Sequence, residues 1–218
     1  MSETTGGRRR LFTHAPLKIG LTIGLALAFG VPYFALQRFP LRAPRTLPLS
    51  VVDASVPFAP GWAVVYQSLY LLIPAIAWMA DSADSLRRYA RGFLALTAAG
   101  FATFLAFPVA GPRPEAAPGA GLYGLLVRYD APLNSFPSLH VALAAYSLLF
   151  GQHLLAGAGL AARSLLWPAA GWMAAIAYST LATKQHYAVD LPAGLLLALL
   201  AHRWAFAPPL PVTRKDAA

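Results

Sequence analysis

The chain has 218 residues, of which 58% are apolar and 11% charged, and its mean hydropathy is +0.56. That balance leaves too little charge to cover a water-exposed surface, which excludes an ordinary soluble domain. The net charge of +9 comes without an aromatic-interleaved basic stripe, excluding a nucleic-acid-binding module, and the absence of cysteine excludes disulfides, thiol nucleophiles and thiolate metal sites.

The chain opens on a basic tail, residues 1–17, read as disordered and carrying Arg8, Arg9 and Arg10. Lys18 to Leu36 is the first of six stretches approaching the roughly 20 apolar residues that a membrane-crossing helix needs. It is followed by Gln37-Arg38-Phe39-Pro40, with no small-x-small cleavage site, and so reads as a retained anchor and not a signal peptide. Residues 37–60 contain five prolines and the apolar run Leu47–Val56, a pattern that suits either a lid along the membrane interface or a structured loop. Gly61–Ala80 is the second apolar stretch. A short helical link with an Asp84/Arg88 pair at i,i+4 leads to the third, Gly92–Ala110. The loop 111–137 begins Gly111-Pro112-Arg113-Pro114 and ends Asn134-Ser135-Phe136-Pro137. Leu139–Leu155, Ser164–Ala182 and Tyr187–Ala207 complete the six, before a short tail at 208–218.

The expected fold is therefore an all-α polytopic membrane protein, with six transmembrane helices in one catalytic bundle over residues 18–207. Arg38, Arg42, Arg45, Arg113, Arg128 and Lys184 would share one side, and the remaining 11 of 17 Lys and Arg the other. The positive-inside rule then makes both termini cytoplasmic and puts the loops beginning at 37, 111 and 183 outside, as in a bacterial inner or plasma membrane.

His186 and Asp190 lie four apart and so stack on one helix face. Asp190 is the only acid within the six stretches, and a carboxylate there is costly unless paired. It can take the Nδ1 hydrogen of His186 and leave Nε2 as base or nucleophile; equally, the pair can clamp two helices together. His140 follows Ser138, an N-cap candidate whose helix N-terminus would face an anion. Arg113 lies between two prolines, where a guanidinium can be held ready for phosphate. Two histidines, a carboxylate, an arginine and a helix N-terminus describe phosphoryl transfer without a metal. Zinc is the rival for the histidines but lacks an obvious third ligand beside Asp190. A transporter using His186 and Asp190 as a proton relay is the non-enzymatic rival, although such groups usually lie near the membrane midplane.

These residues resemble the motifs of the type-2 phosphatidic acid phosphatase superfamily. Pro137-Ser138-Leu139-His140 is similar to Pro-Ser-Gly-His, with leucine for glycine. Ser179, His186 and Asp190 keep the spacing of the last motif, with Thr180 in place of its arginine. Arg113-Pro114 matches the end of the first motif, with Ala106 in place of its lysine. The Leu139 and Tyr187 variants look like those of inositol phosphorylceramide synthases. The resemblance implies that His186 attacks phosphorus to form a phosphohistidine, that Asp190 orients it, and that His140 exchanges protons with the leaving and accepting oxygens. Arg113 and Ser138 would bind the phosphate, with Lys184 or Arg128 replacing the missing cations. The implied substrate is a membrane lipid phosphate and the implied acceptor a sugar, inositol or lipid hydroxyl, or alternatively water; neither cofactor nor metal is implied. Oligomeric state is not legible.

Overall fold

A computed structural model of the chain describes residues 11–114, 121–156, 159 and 163–207. Arg8 to Arg10, Glu115 and the tail at 208–218 lie outside the described residues. Helix α1 (Ala15–Arg38) is followed by strand β1 (Arg45–Thr46), the short α2 (Val51–Ser55) and a 3-10 turn (Pro60–Trp62). Next come α3 (Ala63–Gln67), α4 (Leu69–Ala77), α5 (Ala83–Ala106), strand β2 (Val109–Ala110) and α6 (Gly121–Tyr129). The chain continues through α7 (Leu139–Leu154), α8 (Leu166–Ala182) and α9 (Asp190–Phe206). The fold is all-α apart from one two-stranded parallel ladder pairing Arg45 with Val109 and Thr46 with Ala110.

Six crossings are not found. Among the described residues three helical runs are long and apolar enough to cross a membrane: Ala15–Arg38, Pro60–Ala77 and Ala83–Ala106. Helices α7, α8 and α9 have 16, 17 and 17 residues. At about 1.5 Å per residue each rises roughly 25 Å, less than the ~30 Å of hydrocarbon. Their ends are cut by local chemistry that a hydropathy window passes over. Ser138 caps α7 by accepting from Val141 N, and α8 stops where Lys184 N bonds Leu181 O and Gln185 N bonds Thr180 O. With Lys184 left-handed at φ 56°, this is a Schellman cap.

The second reason is burial. Every residue of α7 from Leu139 to Leu148 is buried, as are Phe150 and Gly151. A helix that is hydrophobic all round lies in a protein core or in a membrane, and hydropathy alone does not say which surrounds it. Around it pack α9, α8, α4 and α5, placing Leu72, Phe93, Leu96, Tyr146, Ile176 and Ala198 in one cluster. The division of Lys and Arg presupposes six crossings, so it assigns no side to the site, and the cytoplasmic placement of the termini falls with it. The three long helices remain consistent with a membrane protein. On α1, Ile19, Ile23, Leu27 and Val31 recur four apart and are exposed, as a lipid-facing stripe would be. The Asp84–Arg88 pair forms at 2.8 Å on the exposed face of α5, contributing only tenths of a kcal/mol.

Residues 45–59 are a docked strap, with neither the freedom of a lid nor that of a plain connector. Leu47 N donates to the Tyr187 hydroxyl at 3.2 Å, and Ala59 N to Ala182 O at 2.8 Å. Ser50 and Asp53 form a reciprocal capping box at the start of α2. The other carboxylate oxygen of Asp53 accepts from Ala188 N at 2.7 Å. The strap is thereby fastened across the segment that carries His186.

Burial pushes the Asp53 carboxyl up, but bonds from Ser50 and Ala188 and the nearby Lys184 ammonium outweigh it and hold the pKa below its usual value. The folded group thus titrates below the unfolded one. Its stabilisation is complete above the unfolded pKa of about 3.9 and is lost as pH falls through the lower folded value. Melting curves for wild type and Asp53→Asn between about pH 7 and about pH 3 should therefore differ at the neutral end and converge at the acid end. A constant gap would show that the charge is not what holds the strap.

Candidate active site

His186 is delivered by the turn between α8 and α9. After the Schellman cap, His186 N donates to Thr180 O at 3.3 Å, and four residues later α9 begins at Asp190. The imidazole is buried, 5% exposed, and Asp190 is fully buried. Nδ1 of His186 lies 2.8 Å from Ser135 O and 3.2 Å from Asp190 Oδ2. Both neighbours accept, since a carbonyl has no proton and the carboxylate already receives Tyr187 N at 2.8 Å and the Ser135 hydroxyl. The hydrogen therefore sits on Nδ1, and Nε2 keeps its lone pair. The spacing was expected to stack His186 and Asp190 on one helix face; the two do meet, but through the turn that precedes α9, and the participation of Ser135 was not legible.

Backbone and small side chains bring the second histidine alongside. Ser138 N donates to Asp190 O at 3.1 Å, joining the start of α7 to the start of α9. One turn into α9, Gly194 packs so closely on Ser138 O and Ala142 N that a Cβ there would overlap the carbonyl. His140, in the first turn of α7, then lies with its ring centroid 6.0 Å from that of His186. Tyr66 stacks on it at 3.9 Å. Its Nε2 is buried and has no hydrogen-bond partner. An orphaned imidazole nitrogen in a buried site is poised for a ligand or a proton. Burial, with His186 adding, lowers the His140 pKa well below the ordinary histidine value, which favours the neutral imidazole.

Arg113 is the third element. Gly111 brings the loop close enough to Gln185 that a side chain at 111 would strike the Gln185 carbonyl. Arg113 then donates to Gln185 Oε1 and to the Asp130 carbonyl, and its guanidinium lies 3.7 Å from the Asp130 carboxylate. A family model described as the PAP2 superfamily matches residues 41–204, three-quarters of the chain and all of these side chains. The chain belongs to the PAP2 superfamily. No curated protein and no solved structure matches it. The superfamily match identifies no branch, so the likeness to inositol phosphorylceramide synthases rests on the motif variants alone.

In this PAP2 member the other cations expected at the phosphate make contacts of their own. The Lys184 ammonium donates to Asp53 O at 2.9 Å and Val56 O at 2.6 Å, closing the strap. The Arg128 guanidinium lies over the Tyr129 ring at 5.8 Å. Neither contact involves a histidine of the site. At the two positions where the motif cations are missing, backbone carbonyls are in use: Thr180 O caps α8, and Ala106 O accepts from Arg42 at 3.2 Å. Ser138 is fully buried and serves as the N-cap. Among the described residues no three His, Cys, Asp or Glu side chains are grouped so as to hold a metal ion.

Two spaces meet at the site. One is a polar cleft of about 10 Å³ lined by Arg113, Asp130, Ser135, Gln185 and His186, among others, little more than room for one water. The other is a largely apolar cavity of about 600 Å³ that runs beneath α1 and reaches His140. Tyr33 and Asp130 line both.

Proposed function

We propose that this PAP2 protein is a lipid phosphate phosphatase, acting by metal-independent phosphoryl transfer through a phosphohistidine. The observation that carries the reading is the state of His186: Nδ1 is occupied by two acceptors and Nε2 is left nucleophilic, beside a second histidine that opens onto an apolar cavity. A cavity of this lining suits alkyl chains, and its His140 end would receive the headgroup. In the first step Nε2 of His186 bonds to phosphorus, the bond to the lipid oxygen breaks, and His140 gives that oxygen a proton. The bound phosphate supplies the negative charge that raises the pKa of His140 for this role. Asp190 balances the charge growing on the His186 ring, and Arg113 that on the phosphoryl oxygens. In the second step His140 takes a proton from water, the water oxygen bonds to phosphorus, and the phosphorus–nitrogen bond breaks.

Water is preferred as acceptor because hydrolysis needs no second polar substrate to be bound beside the phosphohistidine. Transfer to a lipid, inositol or sugar hydroxyl is the second reading, favoured by Leu139 and Tyr187 in the motifs. The test is turnover of phosphatidic acid and of phosphodiester lipids in liposomes containing EDTA, with and without diacylglycerol, ceramide or inositol. Inorganic phosphate released without an acceptor supports the phosphatase. A new phospholipid formed only with an acceptor overturns it in favour of the transferase, and no turnover of any lipid overturns both.

A further inference from the structure

Helix α1 is joined to the rest of the fold in an unusual way. Lys18 and Gln37, near its two ends, are its only buried residues, and both are polar. Between them Leu21, Leu25, Phe29 and Tyr33 form one wall of the 600 Å³ cavity. At the Lys18 end the ammonium donates to Trp78 O at 2.7 Å. At the other end, beside the Asn134 amide on Tyr33 O at 3.3 Å and the Phe29–Phe101 ring contact, two side chains of α1 share one carboxylate. Asp130 Oδ1 accepts from the Tyr33 hydroxyl at 2.9 Å and from Gln37 Nε2, while Gln37 Oε1 accepts from Ala131 N at 3.2 Å. The same carboxylate faces Arg113 through Oδ2.

Asp130 therefore occupies, in the empty site, the anionic position before Arg113 that a phosphoryl group would take. It is also the anchor of the cavity wall. We propose that Asp130 is a positioning residue, a latch joining α1 to Arg113. Phosphate arriving at Arg113 displaces its carboxylate, loosens the end of α1 and joins the apolar cavity to the polar cleft. This rests on the phosphate-binding role proposed above for Arg113. It also accounts for the cleft: a water-sized space cannot admit a phosphate until Asp130 moves, and Asp130 cannot move without releasing Tyr33 and Gln37.

The chain has no cysteine, so one introduced thiol is a clean reporter. Leu143, 2% exposed on the cavity wall opposite α1, is suitable, with Leu126 as a second reporter if L143C does not fold. The full-length protein in liposomes is treated with N-ethylmaleimide, with and without orthovanadate as the phosphate analogue. Vanadate is expected to speed labelling about tenfold, the equivalent of roughly one hydrogen bond of latch. Asp130→Asn, or Gln37→Ala if that variant misfolds, should label fast without vanadate and respond little to it, which a purely structural role would not produce. Detected vanadate binding with no change in wild-type labelling overturns the latch while leaving the phosphate site standing. If wild type binds no vanadate, the phosphate reading fails, and labelling of D130N still decides the latch: unchanged labelling refutes its hold on α1, and faster labelling retains it.

Discussion

Replacing His186 with alanine is expected to lower phosphoryl transfer by at least about 10⁴-fold, because the proposed mechanism then loses its nucleophile. Asp190→Asn should cost less. The amide removes the charge that stabilises the growing imidazolium, yet the Ser135 carbonyl 2.8 Å from Nδ1 still keeps the hydrogen on that nitrogen. A loss of about 10²–10³-fold is expected, below the roughly 10⁴-fold seen where a lone carboxylate also sets the tautomer. Single-turnover assays with ³²P-labelled lipid read both variants, and protein quenched in alkaline detergent, where a phosphorus–nitrogen bond survives, reveals the phosphoenzyme. Label that remains on H186A would remove His186 from its role. If D190N were as inactive as H186A, the Ser135 carbonyl would not be holding the ring.

The second large effect is expected at Gly194, which does no chemistry. A methyl group there overlaps the Ser138 carbonyl, and that residue is bonded through its N–H to Asp190 O. Since the obstacle is backbone at the capped start of α7, no side chain can rotate away. Gly194→Ala should therefore cost about 1–3 kcal/mol of stability, as over-packing does. It should also move α9 off α7, widening the gap between His140 and His186. A displacement of about 1 Å can cost about 10²-fold in turnover. Denaturation in detergent and kcat on the same preparation test both. Full activity with lowered stability would mean that the helices separate without disturbing the histidines. Ala198, one turn further and fully buried, already carries a methyl group, so the requirement for glycine is confined to the contact with Ser138.

The approach of His186 to Asp190 was legible because short spacing is local, although the turn before α9 and not a helix face brings the two together, α9 beginning only at Asp190. Ser138 as an N-cap was legible for the same reason. The three motif segments, in order, pointed to the PAP2 superfamily before any fold was known. The partners of those residues were not legible. Ser135, Gln185 and Asp130 belong to loops whose approach to the histidines depends on Gly111, on Gly194 and on the strap fastened by Asp53 and Lys184. Lys184 and Arg128 had the right charge for a phosphate pocket, and only the folded chain places one at strap carbonyls and the other over a tyrosine ring.

The all-helical class was legible from the long apolar stretches, and the excess of apolar residues pointed to a membrane, with which the three long helical runs are consistent. The number of crossings was not legible. Hydropathy registers that a stretch avoids water without registering what replaces the water, and lipid and protein core are equally apolar. Helix α7 was read as a crossing because it is apolar, but at 16 residues it is shorter than a crossing and four helices surround it. Tertiary packing made that choice, and it also turned three separate polar loops into one site. Burial and long-range contact are properties of the assembled chain, whereas spacing, capping and composition belong to the sequence itself.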